Sequence, residues 1–510
     1  MRTRFNLGDL IDRDNGRFDE PAIIDLAGTE PRTLSFRALD NMAAAAARGL
    51  LASGLVRGDR VAILSANRSE YLAVYLGAMQ AGLVAVPINY RFPREMTDVV
   101  LRDSGAKIVF CDVERLPACP ERLPAVVFGG AQSSAGPLGF EAFCRPGPFE
   151  PVRPTDGETA MILYTSGSTG RPKGVVLSHA SHLWVVETRM AAQNLAPHRL
   201  LVAAPLYHMN ALALAKLSIA SGATMVLLPQ FTAASYMEAI ARYRCTWLTA
   251  VPPMIAMMLR EKALVAGTDF SSVAFLRMGS APVSPALLEA IHRTMPAARV
   301  VNAYGTTECG PVVFGPHPGG LVQPPLSVGY PHPLVALRLV DGSDRQATQG
   351  VLEMNSPARM TGYHDRPDIP PPFAADGFYI TGDVFRRDGD GFHYFVGRTD
   401  DMFVCGGENI YPGEVEKLLE RHAAVAQACV VPVDDEVKGK KPVAFCVRRE
   451  GVAVSEDELK RFALAHAPAY MHPRAVWFLD RLPLTTTNKV DRKALLDRAA
   501  ASTLSSGREP

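Results

Sequence analysis

The chain is expected to be an α/β protein: parallel sheets covered by helices in a large N-terminal domain, a small β-barrel-like subdomain, and a small α+β domain at the C-terminus. Three observations carry that expectation. Short apolar runs alternate with amphipathic helical stretches from about residue 20 to 310; short strands and Gly/Asp turns take over after about 320; a compact strand–helix pattern follows Asp400. At 510 residues the chain exceeds what one hydrophobic core serves, so two domains are expected, 1–399 and 400–510.

The alternating region begins with RVAILSA (60–66), a buried strand, and SEYLAVYLGAMQAG (69–82), where Tyr71, Leu72, Tyr75, Leu76 and Met79 recur at helical spacing. LVAVPIN (83–89), AKIVFCD (106–112), TAMILYT (159–165), RLLVAAP (199–205), ATMVLLP (223–229), CTWLTAV (245–251), AFLRMGS (274–280) and RVVNAYG (299–305) also read as strands. They are near-continuously apolar, the pattern of strands covered on both faces. PPMIAMMLREKAL (252–264) and SPALLEAIHRTM (284–295) read as helices between them. Beyond 320, VALRLVDGSD, GVLEMNS, GFYITGD and GFHYFVGR have the turn-bounded form of antiparallel strands. The last unit runs as helix PGEVEKLLERH (412–422), strands AQACVVPV and KPVAFCV, helix SEDELKRFALAHA and strand AVWFLD, and the ASTLSSGREP tail is expected to fray.

Hydrophobic residues at 48% and charged residues at 21% are the proportions of a soluble globular protein. A net charge of +1 removes any electrostatic case for nucleic acid or a membrane surface as partner. Cysteines 111, 119, 144, 245, 309, 405, 429 and 446 are scattered without a CxxC pair, which points to a reduced, cytoplasmic setting. The N-terminal MRTRFNLGDLIDRD lacks the apolar segment of a secretory signal. The most apolar stretch, Leu200 to Leu228, is interrupted by Pro205, His208, Asn210 and Lys216. It falls short of the roughly eighteen uninterrupted apolar residues of a membrane span and reads as core strand plus core helix. A homodimer is left open.

YTSGSTGRPKG (164–174) directly follows the TAMILY strand. A strand running into Thr, Ser and Gly turns N–H groups and hydroxyls into one concavity suited to phosphate oxygens, and Lys173 adds a mobile cation. The lysine follows Arg171-Pro172, so this is not a GxxxxGK loop. Alone, the stretch reads equally well as a surface loop. Four further stretches follow it in order: AAPLYHMN, with His208 at a strand end; NAYGTTECG (302–310); FYITGDVFRRDGDGFHYFVGRTDDMFVCGGENIYPGEVE (378–416); and LPLTTTNKVDRKAL (482–495).

Taken together these stretches resemble the adenylate-forming superfamily, in its acyl- and aryl-CoA ligase (AMP-dependent synthetase) branch, over nearly the whole chain. The resemblance implies an ATP-dependent acid–CoA ligase. A carboxylate attacks the α-phosphate of ATP to give acyl-AMP and pyrophosphate; coenzyme A then attacks the activated carbonyl and AMP leaves. It also implies ATP, Mg²⁺ and coenzyme A as cofactor and co-substrates, and a mobile C-terminal lid.

The same resemblance assigns residues. Thr165, Ser166, Gly167, Ser168, Thr169 and Gly170 would cradle the β- and γ-phosphates, with Lys173 nearby. Tyr304 would stack on adenine against the backbone of Ser280, Ala281 and Pro282, with the Asn302 amide at the adenine edge and Gly305 and Thr306 lining the same nucleotide site. Thr307 would donate to the α-phosphate and Glu308 would hold Mg²⁺, a hard ion suited to carboxylate and phosphate oxygens. Asp383 and Arg398 would hold the ribose hydroxyls. Lys489 would carry adenylation by reaching the substrate carboxylate and the α-phosphate together. Asp400 would be the hinge, and Gly406, Gly407 and Tyr470 would lie along the CoA path. The sequence departs from the family pattern at Asn488, Cys405 and Met471.

His208 and the absence of a carrier module after Lys489 favour free CoA as acceptor over a tethered thiol. By resemblance the acyl pocket is walled by His208, Met209, Asn210, Val251, Ala303, Gly310 and Pro311. That mostly apolar wall suggests an apolar acid, aromatic (benzoate or cinnamate type) or a medium- to long-chain fatty acid. The alternatives are a non-catalytic nucleotide-binding relative and an adenylating enzyme with a different acceptor.

Overall fold

A computed structural model describes residues 4–129, 137–165, 172–281, 283–370, 372–405, 408–435, 438–485 and 489–506. Its two large sheets contain all nine apolar runs predicted as strands above, together with six further strands. One has seven strands in the order Arg299–Ala303, Phe275–Gly279, Trp247–Ala250, Arg199–Val202, Thr224–Leu227, Pro21–Asp25, Arg32–Ser35. Every pairing is parallel except the terminal hairpin. The other has eight strands, in the order Gly362–Tyr363, Lys173–Ser178, Thr159–Thr165, Val84–Pro87, Arg60–Leu64, Ala106–Asp112, Ala125–Phe128, Leu138–Gly139.

This second sheet is not parallel throughout. Lys173–Ser178 folds back antiparallel on Thr159–Thr165, and Gly362–Tyr363 adds antiparallel to it. Few residues separate Thr165 from Lys173, too few for the crossover a parallel neighbour requires, so the two strands pair antiparallel.

The Ser69–Gln80 helix is buried along its whole length. It shares one apolar core with Ile63 of the second sheet and Leu201 and Val226 of the first. Gly77 permits its approach to the Phe36–Ala52 helix, because a Cβ there would stand 2.4 Å from the Ala43 carbonyl. Loops at the carboxyl ends of the parallel strands are thereby held on a rigid frame, where ligands gather in such folds.

The region expected to be barrel-like is a four-stranded antiparallel sheet, in the order Ala336–Val340, Gln349–Asn355, Tyr379–Arg387, His393–Arg398, with a Phe314–Gly315/Tyr330–Pro331 ribbon. A bridge between Gly329 and His393 ties the two together. The last unit pairs Glu408–Ile410, Phe403–Cys405, Gly439–Arg448 and Val425–Asp435 in that order, and Ala475–Leu479 joins parallel to Gly439–Arg448. Val415, Leu419 and Leu459 fill one apolar cluster of this unit, and Val431, Phe445 and Leu495 another.

Two local expectations are corrected. The 252–264 helix breaks at Glu261, which has ψ of 64° and separates Pro252–Arg260 from Lys262–Gly267. Residues flanking the break reach the C-terminal unit: Arg260 donates to Gln427 Oε1 at 2.9 Å and Lys262 pairs with Glu450. The first part of the tail is helical, in a helix Arg492–Ser506 that Leu495 and Ala499 anchor in the core, while residues 507–510 lie outside the described residues. All eight cysteines are free thiols. No helix among the described residues is long and apolar enough to cross a membrane.

Candidate active site

The loop after Arg299–Ala303 is closed on itself. Thr306 and Gly310 exchange backbone hydrogen bonds of 3.2 and 3.0 Å, and the Cys309 N–H donates to Thr306 Oγ1 at 2.9 Å. Gly310 has φ of 84° and a Cβ there would lie 2.5 Å from Ala358 Cβ, so this tight return needs glycine. Thr307 and Glu308 are presented at its tip. The Met360 N–H donates to the Glu308 carbonyl at 2.7 Å, and the Tyr363 hydroxyl donates to Glu308 Oε1 at 3.4 Å. Tyr363 also carries Lys173 over its ring, 5.4 Å from the centroid. Since Lys173 pairs with Thr165 across the hairpin, the base of the Gly/Ser loop and Glu308 are joined through one tyrosine. Ser166, Gly167, Ser168, Thr169 and Gly170 lie outside the described residues, as do Pro282, Gly406, Gly407 and Asn488.

Asp383 is the second anchor. It is 8% exposed. The Tyr304 hydroxyl donates to its Oδ2 at 2.5 Å, Arg398 Nε lies 3.4 Å from Oδ1, and its own N–H donates to Thr381 Oγ1 at 2.9 Å. Burial raises the Asp383 carboxyl; Arg398 and Tyr304 act against that rise. The Tyr304 ring meets Phe385 edge-on at 4.8 Å, so its orientation is set from behind. The Asn302 amide donates to the Leu326 carbonyl at 3.0 Å, which leaves its oxygen for another partner. Ser280, at the end of Phe275–Gly279, has φ of 66°, a left-handed conformation costly for a side-chain-bearing residue. Ala281 follows it, half-buried; Gly305 is exposed at its own strand end.

Lys489 comes from the C-terminal unit into this group. Burial and then Arg398 lower its ammonium pKa, while Asp383 and Glu308 pull the other way. The side chain keeps solvent contact, which limits the depression. Burial raises the Glu308 carboxyl, offset in part by Arg398. His208 is pushed down to about 3 by burial and then by the Lys489 and Arg91 charges, so it is a neutral imidazole. Its Nε2 is buried without a hydrogen-bond partner among the described residues, and its ring lies 4.4 Å from that of Tyr207. Residues from four distant stretches thus converge: His208, Tyr304 with Glu308, Asp383 with Arg398, and Lys489.

The remaining predicted residues sit as follows. Met209 and Asn210 open the Met209–Ser221 helix, and Val251 precedes Pro252–Arg260. Ala303 ends its strand beside Gly279. The expected apolar acyl wall is interrupted by Arg277, whose Nη1 lies 3.4 Å from Asn210 Oδ1 and whose Nη2 lies 3.5 Å from the Pro311 carbonyl. Asp400 is exposed in the turn between His393–Arg398 and Phe403–Cys405. Tyr470 packs against the C-terminal core and does not join the cluster. Sequence reasoning missed Tyr363 and Arg277. The first lies in a two-residue strand with no periodic signal; the second sat inside an apolar strand run and was absorbed into it.

A catalytic reading of this convergence agrees with the comparison to known proteins. Residues 12–364 match the AMP-binding enzyme family, and residues 414–489 match the AMP-binding enzyme C-terminal domain. The chain belongs to the AMP-binding enzyme family. Its relatives lie in the acid–thiol ligase branch. A fatty acid–[acyl-carrier-protein] ligase, ScoC, from Streptomyces coeruleorubidus is 32% identical over 92% of each chain. A feruloyl-CoA synthase from Amycolatopsis is 34% identical over 90% of this chain and 92% of its own. Among solved structures, that of the anthranilate CoA ligase AuaEII in complex with anthranoyl-AMP superposes with a TM-score of 0.88 at 25% identity, covering 98% of both chains.

Proposed function

We propose that this family member is an ATP-dependent carboxylic acid–CoA ligase acting through an acyl-adenylate. The observation that carries the reading is Lys489, delivered by the C-terminal unit to the cluster of His208, Glu308, Asp383 and Arg398. That placement suits charge development on the α-phosphate during attack by a carboxylate, because a preformed cation needs no reorganisation. The Thr165–Lys173 hairpin would hold the β- and γ-phosphates, Thr307 the α-phosphate, and Asp383 with Arg398 the ribose. Tyr304, Ser280 and Ala281 would flank the adenine, with the Asn302 oxygen and Gly305 beside it. The neutral His208, with its Nε2 unpartnered among the described residues, would offer the acyl carboxylate a hydrogen bond while Lys489 supplies the charge.

Magnesium fits Glu308. It is a half-buried carboxylate with no cationic side chain in ion-pair contact among the described residues, and Mg²⁺ is commonly bound through one carboxylate plus substrate phosphates. When bound, the ion would neutralise phosphate charge. Glu308 would hold it, and Tyr363 would fix the carboxylate.

Residues 1–399 and 400–510 would act as separate bodies with Asp400 as hinge, so that after adenylation Lys489 withdraws and the 406–407 loop and Tyr470 line the CoA path. The acid is of the aromatic or medium- to long-chain class, and the setting is cytoplasmic. A carrier-protein thiol is the second acceptor reading, motivated by the ScoC relative. A panel of carboxylates, each assayed for pyrophosphate release and then for thioester mass with CoA or a phosphopantetheinylated carrier protein, tests both. ATP binding without pyrophosphate release from any acid would refute the ligase.

A further inference from the structure

The wall between His208 and Pro311 holds cations that no carboxylate among the described residues balances. Arg277 leaves its strand on the face shared with Thr249 and Val301, its register partners on the neighbouring parallel strands, and with Ala303 two residues on. A guanidinium has five donors. Here the described residues offer it only the Asn210 amide oxygen and the Pro311 carbonyl, at 3.4 and 3.5 Å, the outer limit of hydrogen bonding. Neither partner is charged.

Arg189 is the second cation. Its helix, His179–Ala192, passes beneath Gly310: Val185 Cγ2 is 3.7 Å from where a Gly310 Cβ would stand, and Arg189 follows one turn later on the same face. No carboxylate among the described residues acts on either arginine. Other sheltered arginines are paired, Arg338 with Glu353 and Asp376, and Arg492 with Glu416. Burial and then the Arg189 charge lower Arg277 to about 9, which still leaves it cationic at neutral pH. Asn210 Nδ2 and Thr249 Oγ1 are buried beside it without hydrogen-bond partners, and Thr249 is only 3% exposed.

Buried cations and polar groups without partners are costly, and an arriving anion removes that cost. Arg277 sits two residues before Gly279 on its strand, below the strand ends that carry Ser280 and Tyr304, so the two ends of the pocket are distinct. We propose that the acid activated here carries a second anionic group, a carboxylate or sulfonate, at the end remote from the reacting carboxylate, and that Arg277 with Arg189 receives it. The body between the two ends remains the aromatic or aliphatic one given above. This inference rests on the ligase reading for the chemistry at the reacting end.

Isosteric pairs test it: terephthalate and 4-sulfobenzoate against 4-methylbenzoate, and adipate against hexanoate, in pyrophosphate release with ATP and Mg²⁺. The dianions are expected to show kcat/KM at least about tenfold higher, chiefly through KM, the scale of one charge-assisted hydrogen-bond pair. Arg277→Met should erase that ratio, and Arg277→Lys should restore part of it, with melting curves confirming that both variants fold. Equal or better use of the monoanions overturns the inference and leaves the ligase intact. A separate calorimetric arm titrates terephthalate and 4-methylbenzoate into the enzyme without ATP. If no acid releases pyrophosphate, the ligase reading falls, and this arm still decides: tighter, Arg277-dependent terephthalate binding supports the anion receptor, and equal or absent binding of the two probes overturns it.

Discussion

Tyr304→Phe isolates one hydrogen bond at the nucleotide site. The ring, its edge contact with Phe385 at 4.8 Å and any stacking on adenine are kept; only the hydroxyl that donates to Asp383 at 2.5 Å is removed. Asp383 is buried and its carboxyl is already raised, so it depends on Tyr304 and Arg398 to stay ionised. A hydrogen bond to a charged group is worth about 1.5–3 kcal/mol, which converts to a loss of roughly 10- to 100-fold in ATP affinity if Asp383 holds the ribose. The sign with pH follows from the direction of the shift. A carboxyl with a raised folded pKa gains its proton at higher pH than a free one, and losing Tyr304 raises it further. The defect should therefore be larger at pH 5.5 than at pH 8. ATP titrations by calorimetry at both values measure it without any knowledge of the acid. Unchanged affinity, or a loss of equal size at both pH values, would refute the role given to the Tyr304–Asp383 pair.

Lys489→Ala should reduce adenylate formation by about 10²–10³-fold, the scale of one preorganised transition-state donor, while thioester formation from supplied acyl-adenylate changes little. Equal loss in both half-reactions would remove the assignment. Gly310→Ala places a Cβ 2.5 Å from Ala358 Cβ at φ of 84° and should cut adenylation by about tenfold or more; pairing it with Ala358→Gly should recover part of the loss, measured by pyrophosphate release. Lys216 is 1% exposed, lies 3.1 Å from His182 Nδ1 and is pushed down to about 7 by burial. Its folded state binds fewer protons than the unfolded chain between that value and the ordinary 10.5, so stability rises with pH through this window and the burial cost is full below it. Lys216→Met should raise stability at pH 7 by roughly 1–4 kcal/mol, after allowance for the orphaned His182, and flatten the rise seen in denaturant melts between pH 7 and 9.5. Parallel pH slopes for the two proteins would contradict this.

Much of this molecule was legible in its residues. The nearly continuous apolar runs from RVAILSA to RVVNAYG became sheet strands because burial on both faces leaves no room for alternation. The ordered stretches around Lys173, His208, Glu308, Asp383 and Lys489 carried the resemblance to the family, and the matches over residues 12–364 and 414–489 bear that family out. The helix break at Glu261 was not legible. No glycine or proline marks it, and the residues flanking it answer to partners about 165–190 positions away.

By itself, then, the sequence determined the fold class and the family, and it named the residues proposed to carry the reaction. These follow from local pattern and from the order of motifs along the chain. Only the tertiary structure decided who faces whom: that the strands ending at Thr165 and starting at Lys173 pair antiparallel, that Tyr304 grips Asp383, and that Tyr363 links Lys173 to Glu308. It also decided that Arg277 stands beside Asn210 and Pro311 with no carboxylate in contact among the described residues. An arginine's meaning lies in its counter-charge, and a counter-charge is a matter of distance in space, which residue order does not record.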